Sequence, residues 1–210
     1  MQRIRTGIAF ALVLLAVNSD SSAQAQSPAA TAPPAQQSVN VRGTITAFDG
    51  RTVSVATRDG GPVQVQLPDA VNVAGTKAFN LTDIQPGMTL AVVTVKRADG
   101  ATVAIDVRPI PAAARLGLSP FDLAPNSTMT NALLEGNAVS SSGNELVLNY
   151  KTGSITVLVP AGTPMSQAVP GSRSDLKAGE TVFISARIGD DNTLTAARIQ
   201  VSTNGVKPTQ

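Results

Sequence analysis

The stretch LTDIQPGMTLAV at residues 81–92 returns as RSDLKAGETVFI at residues 173–184, and this recurrence decides the fold. Both copies carry an aspartate, an apolar residue and a glycine at matching places, followed by a run that is typical of a strand. The offset between the copies is 92 residues, measured from Gly87 to Gly179. This recurrence predicts that the chain contains the same folding unit twice.

Residues 41–55 also resemble residues 134–148, and here the offset is 93 residues, measured from Gly43 to Gly136. A single deletion near Gly60 explains the change from 93 to 92. Each unit is roughly 70 residues long, whereas solenoid repeats have about 20–45 residues and need neighbours to bury a core. We therefore expect each unit to close a core of its own.

Apolar and polar residues alternate within each unit, with the period of two that is typical of half-buried antiparallel strands. Val39, Val41 and Ile45 alternate with polar neighbours, and Asp49-Gly50 is a two-residue hairpin signal. Five such strands with one helical turn before the fourth are typical of an OB-like barrel, which leaves no open sheet edge. The predicted fold is therefore all-β, with two tandem small five-stranded OB-like barrels, each with one short helical turn.

The predicted domain limits follow this pattern along the chain. They are a signal peptide at 1–25, a disordered Pro/Ala/Gln leader at 26–38, a first barrel at 39–110, an inter-repeat segment at 111–132, a second barrel at 133–203 and a C-terminal tail at 204–210. The inter-repeat segment carries large apolar side chains, which a free linker would expose to water. We expect it to dock on the barrels and to supply the contact with any partner through Leu118, Phe121, Leu123 and Met129.

The N-terminal residues have the pattern of a secretory signal peptide. Arg3 and Arg5 precede an uncharged run at 7–17, and Ala-Gln-Ala at 23–25 supplies the small residues that signal peptidase recognises. The uncharged run has 11 residues, fewer than the ~20 that a membrane-spanning helix needs. We therefore expect cleavage before Gln26 and a periplasmic or extracellular location, with no membrane span in the mature chain.

The composition excludes several classes of chemistry. The chain has no cysteine and no histidine, which removes disulfides, zinc–thiolate sites, thiol nucleophiles and Ser-His-Asp triads. The remaining acid–base candidates are carboxylates that fall mainly in turns and caps: Asp49, Asp59, Asp83, Asp99, Asp175, Asp190 and Asp191. We expect no enzymatic activity, no cofactor and no metal site. A glycan hydrolase with two converging carboxylates is the enzymatic alternative.

Nucleic-acid binding, a common activity of OB-like barrels, is not expected either. The net charge of the chain is only +2, and aromatic residues make up 3% of it. Single-strand binding needs stacking rings on the second and third strands, and in those strands only Tyr150 offers one.

The residues at 43–50, 83–87 and 99–103 carry a resemblance to a known family. In these stretches the chain resembles a bacterial secreted family of tandem OB-like small β-barrel repeats that is catalogued as a domain of unknown function. The resemblance implies two barrels in tandem and brings no catalytic residues with it. We expect an exported non-enzymatic binding protein whose partner is a protein, a small ligand or an envelope polymer. The alternative is a structural or adaptor component of a cell-envelope complex.

Overall fold

The computed structural model describes residues 37–58, 60–140 and 143–209, and it describes side chains outside 137–143. The predicted signal peptide and the leader up to residue 36 lie outside these residues. Ser38, which the sequence assigned to the leader, is already the first residue of a strand. Within the described part of the chain, no helix is long and apolar enough to cross a membrane.

Thirteen strands make up most of the described residues. In chain order they are β1 (Ser38–Phe48), β2 (Thr52–Thr57), β3 (Pro62–Gln66), β4 (Asn72–Ala78), β5 (Thr89–Lys96), β6 (Thr102–Pro109), β7 (Gly117–Pro120), β8 (Thr128–Ser140), β9 (Gly143–Asn149), β10 (Ser154–Val159), β11 (Ser166–Pro170), β12 (Thr181–Ile188) and β13 (Leu194–Val201).

A short 3₁₀ turn precedes the fourth barrel strand of each repeat, at Leu81–Asp83 before β5 and at Arg173–Asp175 before β12. In each turn the aspartate accepts a hydrogen bond from the backbone N–H three residues earlier, at 2.9 Å for Asp83 and 2.7 Å for Asp175. This reciprocal capping satisfies a donor that the turn leaves without an internal partner. The most clearly repeated stretch of sequence therefore folds in the same way twice.

Ten of these strands form two closed barrels of five strands each. The first barrel has the order β3-β2-β1-β12-β13 and closes where β13 pairs in parallel with β3. The second barrel has the order β10-β9-β8-β5-β6 and closes where β6 pairs in parallel with β10. The predicted fold class, all-β with two five-stranded barrels and one short helical turn in each repeat, is confirmed.

The strand partners differ from the expected arrangement of one barrel per repeat. Each barrel takes three strands from one repeat and two from the other, because β1 pairs with β12 and β5 pairs with β8. The ranges 39–110 and 133–203 are therefore sequence repeats, and each contributes strands to both barrels. Alternation fixes which face of a strand is buried but not which strand lies beside it, so two copies of one pattern can exchange strands.

The two halves of the chain are related by a pseudo-two-fold arrangement centred on the antiparallel pair of β4 and β11. Gly75 pairs with Val169 and Lys77 pairs with Gln167, which are equivalent pairs for an offset of 92 residues. The same offset relates the bulges in the β5–β6 and β12–β13 pairs. The offset of 92 residues predicted from the repeated stretch therefore relates the segment from β3 to β6 to the segment from β10 to β13.

The first strand of each repeat has a different offset from the one that the glycines suggested. Ile45 N–H donates to Glu180 O at 2.8 Å, and Leu134 N–H donates to Met88 O at 2.8 Å, so Ile45 is equivalent to Leu134. The offset there is 89 residues, and four additional residues lengthen the β8–β9 hairpin. The sequence alignment that matched Gly43 with Gly136 is therefore wrong, because the two glycines do not occupy equivalent positions in the structure.

Gly43 and Gly136 consequently have different structural roles, which a pair of substitutions can measure. A Cβ atom at Gly43 would lie 2.1 Å from the backbone oxygen of Ala56, whereas one at Gly136 would have nothing within 4 Å. We expect Gly43→Ala to lower the free energy of unfolding by about 1–3 kcal/mol because β1 and β2 must separate. Gly136→Ala should stay within about 0.5 kcal/mol of the wild type in urea denaturation. Equal losses would contradict this assignment.

Both barrel cores contain side chains from both repeats. The first core combines Val41 and Val55 with Ile184 and Ile199, and the second core combines Leu90 with the buried leucines of β8 and β9. Each core is therefore complete only when both repeats are present.

Candidate functional site

The sequence-predicted contact residues lie mostly inside the molecule. Phe121 and Leu123 pack, partly buried, on a small third cluster formed by Ala91, Val93 and Met129, on the outer face of the second barrel. Met129 is only 8% exposed. Leu118 lies apart from them on β7, where it is 49% exposed. Of the four predicted contacts, Leu118 is therefore the most exposed, with about half of its surface accessible to solvent.

Arg42, on the outer face of β1, holds the inter-repeat segment. Its Nη2 donates to Asp122 Oδ1 at 2.7 Å and its Nη1 donates to Asp122 Oδ2 at 3.0 Å. Its guanidinium carbon lies over the rings of Phe121 and Phe183, at 5.6 Å and 5.2 Å from their centroids. The hydrogen bonds from Arg42 lower the pKa of Asp122, against the opposing effect of partial burial. Arg42 thus holds residues 121–122 against the first barrel. No local sequence pattern predicts this contact between Arg42 and Asp122.

A second charged pair is buried on the outer face of β6. Arg108 Nη1 lies 3.5 Å from Asp106 Oδ2, and Asp106 is 0% exposed. Within the described residues, neither carboxylate oxygen of Asp106 has a hydrogen-bond partner of good geometry, and neither does Arg108 Nη1. Burial raises the pKa of Asp106, and the charge of Arg108 and the hydroxyl of Thr209 oppose it.

Burial also lowers the pKa of Arg108, to about 10, against the opposing charge of Asp106. The neighbouring charges of Arg198 and Arg42 lower it further. Among the described residues, Asp106 is paired with Arg108, and no group of three acidic side chains includes it. The arrangement therefore has the chemistry of a structural ion pair at the contact between the barrels.

The residues after β13, predicted as a tail, fold back onto the barrels, and we call residues 203–209 the C-terminal strap. Thr203 and Val206 form a β-bridge around Asn204 and Gly205, which both have positive φ angles (51° and 80°). Asn-Gly is the preferred pair for such a turn, so the sequence contained a signal that could have identified the strap. Pro208 is buried, and Lys207 is exposed.

A cationic pocket lies where β1, β2 and β12 meet the C-terminal strap. Its volume is about 310 Å³, and its lining consists of Arg42, Gly43, Thr44, Ala56, Thr57, Arg58, Thr181, Val182, Lys207 and Pro208. Three of these residues are cations, and none is a carboxylate. Guanidinium, ammonium and hydroxyl donors together suit an oxyanion. Larger concavities of about 470, 490 and 520 Å³ have either no charged lining residue or Arg51 balanced by Asp69.

The three cations come from distant parts of the sequence. Arg42 and Arg58 belong to the first repeat, whereas Lys207 follows the second repeat and reaches the pocket only because the strap turns back. The Nη atoms of Arg42 are bound to Asp122, but its Nε has no hydrogen-bond partner among the described residues. The pocket therefore offers two exposed cations to an incoming group, whereas the third cation, Arg42, is already paired with Asp122.

Comparison with known proteins gives no relative from which a ligand could be transferred. No protein-family model, no curated protein and no solved structure matches this chain. Within the described residues, no three acidic side chains are grouped so that they could hold a metal ion.

Proposed function

We propose that this protein is an exported, non-enzymatic binding protein whose ligand carries an oxyanion such as phosphate, sulfate or carboxylate. The observation that supports it is the convergence of Arg42, Arg58 and Lys207 on one pocket, among whose described lining residues there is no carboxylate. Cations gathered in a concavity raise the local concentration of anions and hold them by charge-assisted hydrogen bonds. The described lining residues also include no carboxylate, histidine or thiol that could serve as a general base, which favours binding over catalysis.

The pocket volume limits the size of the bound group. About 310 Å³ lies at the lower end of the range for small-molecule sites, so the pocket suits a small anion or one charged group of a longer envelope polymer. Arg58 and Lys207 are exposed and would meet the ligand first. Arg42 is 15% exposed and would add its positive charge to the site while its Nη atoms stay bound to Asp122.

Removing the two exposed cations should weaken anion binding. We expect the Arg58→Gln/Lys207→Gln variant to bind inorganic phosphate, sulfate or citrate at least about 10-fold more weakly than the wild type, since one hydrogen bond to a charged group is worth ~1.5–3 kcal/mol. Isothermal titration calorimetry at low ionic strength measures it, because salt screens exposed charges.

The matched control is Lys96→Gln/Lys177→Gln, which removes two exposed cations that do not line the pocket. This control should stay within about twofold of the wild-type affinity. Equal weakening of both double variants would show that net charge, and not the pocket, attracts the anion. A wild type that binds none of the three anions would contradict the proposal outright.

Export is part of the same proposal and rests on the sequence pattern at residues 3–25. We expect mass spectrometry of the protein from a periplasmic fraction to give a mature N-terminus at Gln26. An intact Met1 recovered from a membrane fraction would contradict it.

The adaptor alternative has less support from the described residues. It needs the inter-repeat segment as a contact surface, but Phe121, Leu123 and Met129 pack within the molecule. Of the predicted contacts only Leu118 remains exposed, and among the described residues Leu133 is the other exposed large apolar side chain; a few such leucines are ordinary on a protein surface.

A further inference from the structure

The C-terminal strap is fastened at its end, one residue beyond the cationic pocket. The hydroxyls of Thr209 and Ser166 lie 3.0 Å apart, and Ser166, on β11, is only 2% exposed. The Thr209 hydroxyl also lies close enough to Asp106 to oppose the rise in its pKa that burial causes. Neither Ser166 nor Thr209 lines the pocket.

The strap positions Lys207 between two fixed points. At one end the backbone N–H of Thr76 on β4 donates to Thr203 Oγ1 at 3.1 Å, and at the other end the hydroxyl of Thr209 contacts Ser166, with buried Pro208 next to it. Lys207 itself is exposed, and no hydrogen bond of its side chain constrains it among the described residues. Ordering a chain segment costs conformational entropy, so a strap that is already held in place binds a ligand more tightly than a loose one.

We propose that Thr209 is a positioning residue of the anion pocket: its hydroxyl contact with Ser166 holds the strap so that Lys207 and Pro208 form the third wall of the pocket. This inference rests on the proposed function. It assigns to Thr209, a residue outside the pocket, an effect on anion affinity that acts through the strap. The contribution of Lys207 to that affinity then depends on Thr209.

Thr209→Val removes the hydroxyl at nearly constant volume, and Thr209→Ser retains it. Because a neutral hydrogen bond contributes ~0.5–1.5 kcal/mol, we expect Thr209→Val to weaken phosphate binding about 3–10-fold and Thr209→Ser to restore it. Ser166→Ala removes the other hydroxyl without touching Asp106 or the pocket, and it should cause a similar loss. Titration with inorganic phosphate, or with whichever of sulfate and citrate the wild type binds, measures these affinities.

Two further measurements separate positioning from general destabilisation. Lys207→Gln should cost much less affinity in the Thr209→Val background than in the wild type, because the lysine has already left the pocket wall. The backbone order parameter of Lys207 should fall from about 0.85 in the wild type to below about 0.6 in Thr209→Val, as measured by ¹⁵N relaxation without any ligand.

Additive losses of affinity, or a Lys207 amide that stays rigid in Thr209→Val, would overturn the inference. An unchanged affinity of Thr209→Val would overturn it too, and would leave the proposed function intact if the wild type binds. A wild type that binds no oxyanion is a different result, since it rejects the proposed function and this inference together.

Discussion

Residues 115–209, produced without the rest of the chain, are expected to give a monomer with no cooperative thermal transition. In this fragment β8, β9 and β10 lack β5 and β6, which close the second barrel. Buried side chains such as Leu134, Leu146 and Leu148 would then face water, at a cost of ~1.5–3 kcal/mol each. A small domain with a stability of about 5–15 kcal/mol does not tolerate several losses of this size.

The complementary half should rescue folding. We expect residues 37–114 and 115–209, mixed or co-expressed, to form a 1:1 complex that melts in one transition, because every strand of both barrels is then present. Circular dichroism and size-exclusion chromatography measure the transition and the stoichiometry. Dispersed amide shifts from monomeric 115–209 would show instead that one repeat can close a barrel with its own strands.

The buried Asp106–Arg108 pair should dominate the effects of single substitutions on stability. Arg108→Met leaves a fully buried carboxylate without its cation, and we expect a loss of about 3–5 kcal/mol in the free energy of unfolding. Asp106→Leu/Arg108→Met removes both charges and should be close to neutral, or even stabilising, since neither member of the pair is left buried without the other. Urea denaturation of the two single variants and the double variant measures this coupling.

The exposed pair Arg97–Asp99 provides the matched control. Its side chains are 51% and 53% exposed, and breaking it with Arg97→Gln should cost no more than about 1 kcal/mol. Losses that simply add in the Asp106/Arg108 double variant would contradict the assignment of a coupled pair.

The pH dependence of Arg108→Met follows from the raised pKa of Asp106. A carboxyl whose pKa is higher in the folded state than in the unfolded state stabilises the fold below its unfolded value of about 3.8, and this contribution is lost as the pH rises through the folded value. Removing Arg108 removes a charge that lowers this pKa. The stability loss of Arg108→Met should therefore be largest near neutral pH and smaller at about pH 4.

The sequence predicted the elements of this fold better than their partners. Alternation and the Asp49-Gly50 signal are local, so strands and turns could be read from single stretches. Which strand completes which barrel depends on contacts between residues more than 100 positions apart, such as Val41 with Ile184. Matching glycines also misled the alignment, because Gly43 is held by close packing whereas Gly136 lies in open space.

The candidate site was less predictable for a related reason. An apolar residue such as Phe121 has the same pattern whether it packs within its own chain or against a partner. Lys207 is far from the other two pocket cations, Arg42 and Arg58, in the sequence, and it has the pattern of a residue in a polar tail. Only the Asn204-Gly205 turn signal could have shown that this tail returns to the barrels.

Strand exchange also sets the order in which the chain can fold during synthesis. All five strands of the second barrel are present once β10 has been made. The first barrel begins with the strands that are made first, β1 to β3, but it cannot close until β13 ends at Val201. Such long-range pairing makes folding slow, because distant segments must meet before either gains contacts. For a chain that is exported as proposed, the consequence falls on the first barrel: its strands β1 to β3 stay unfolded, and so remain able to cross the membrane, until β13 has been synthesised.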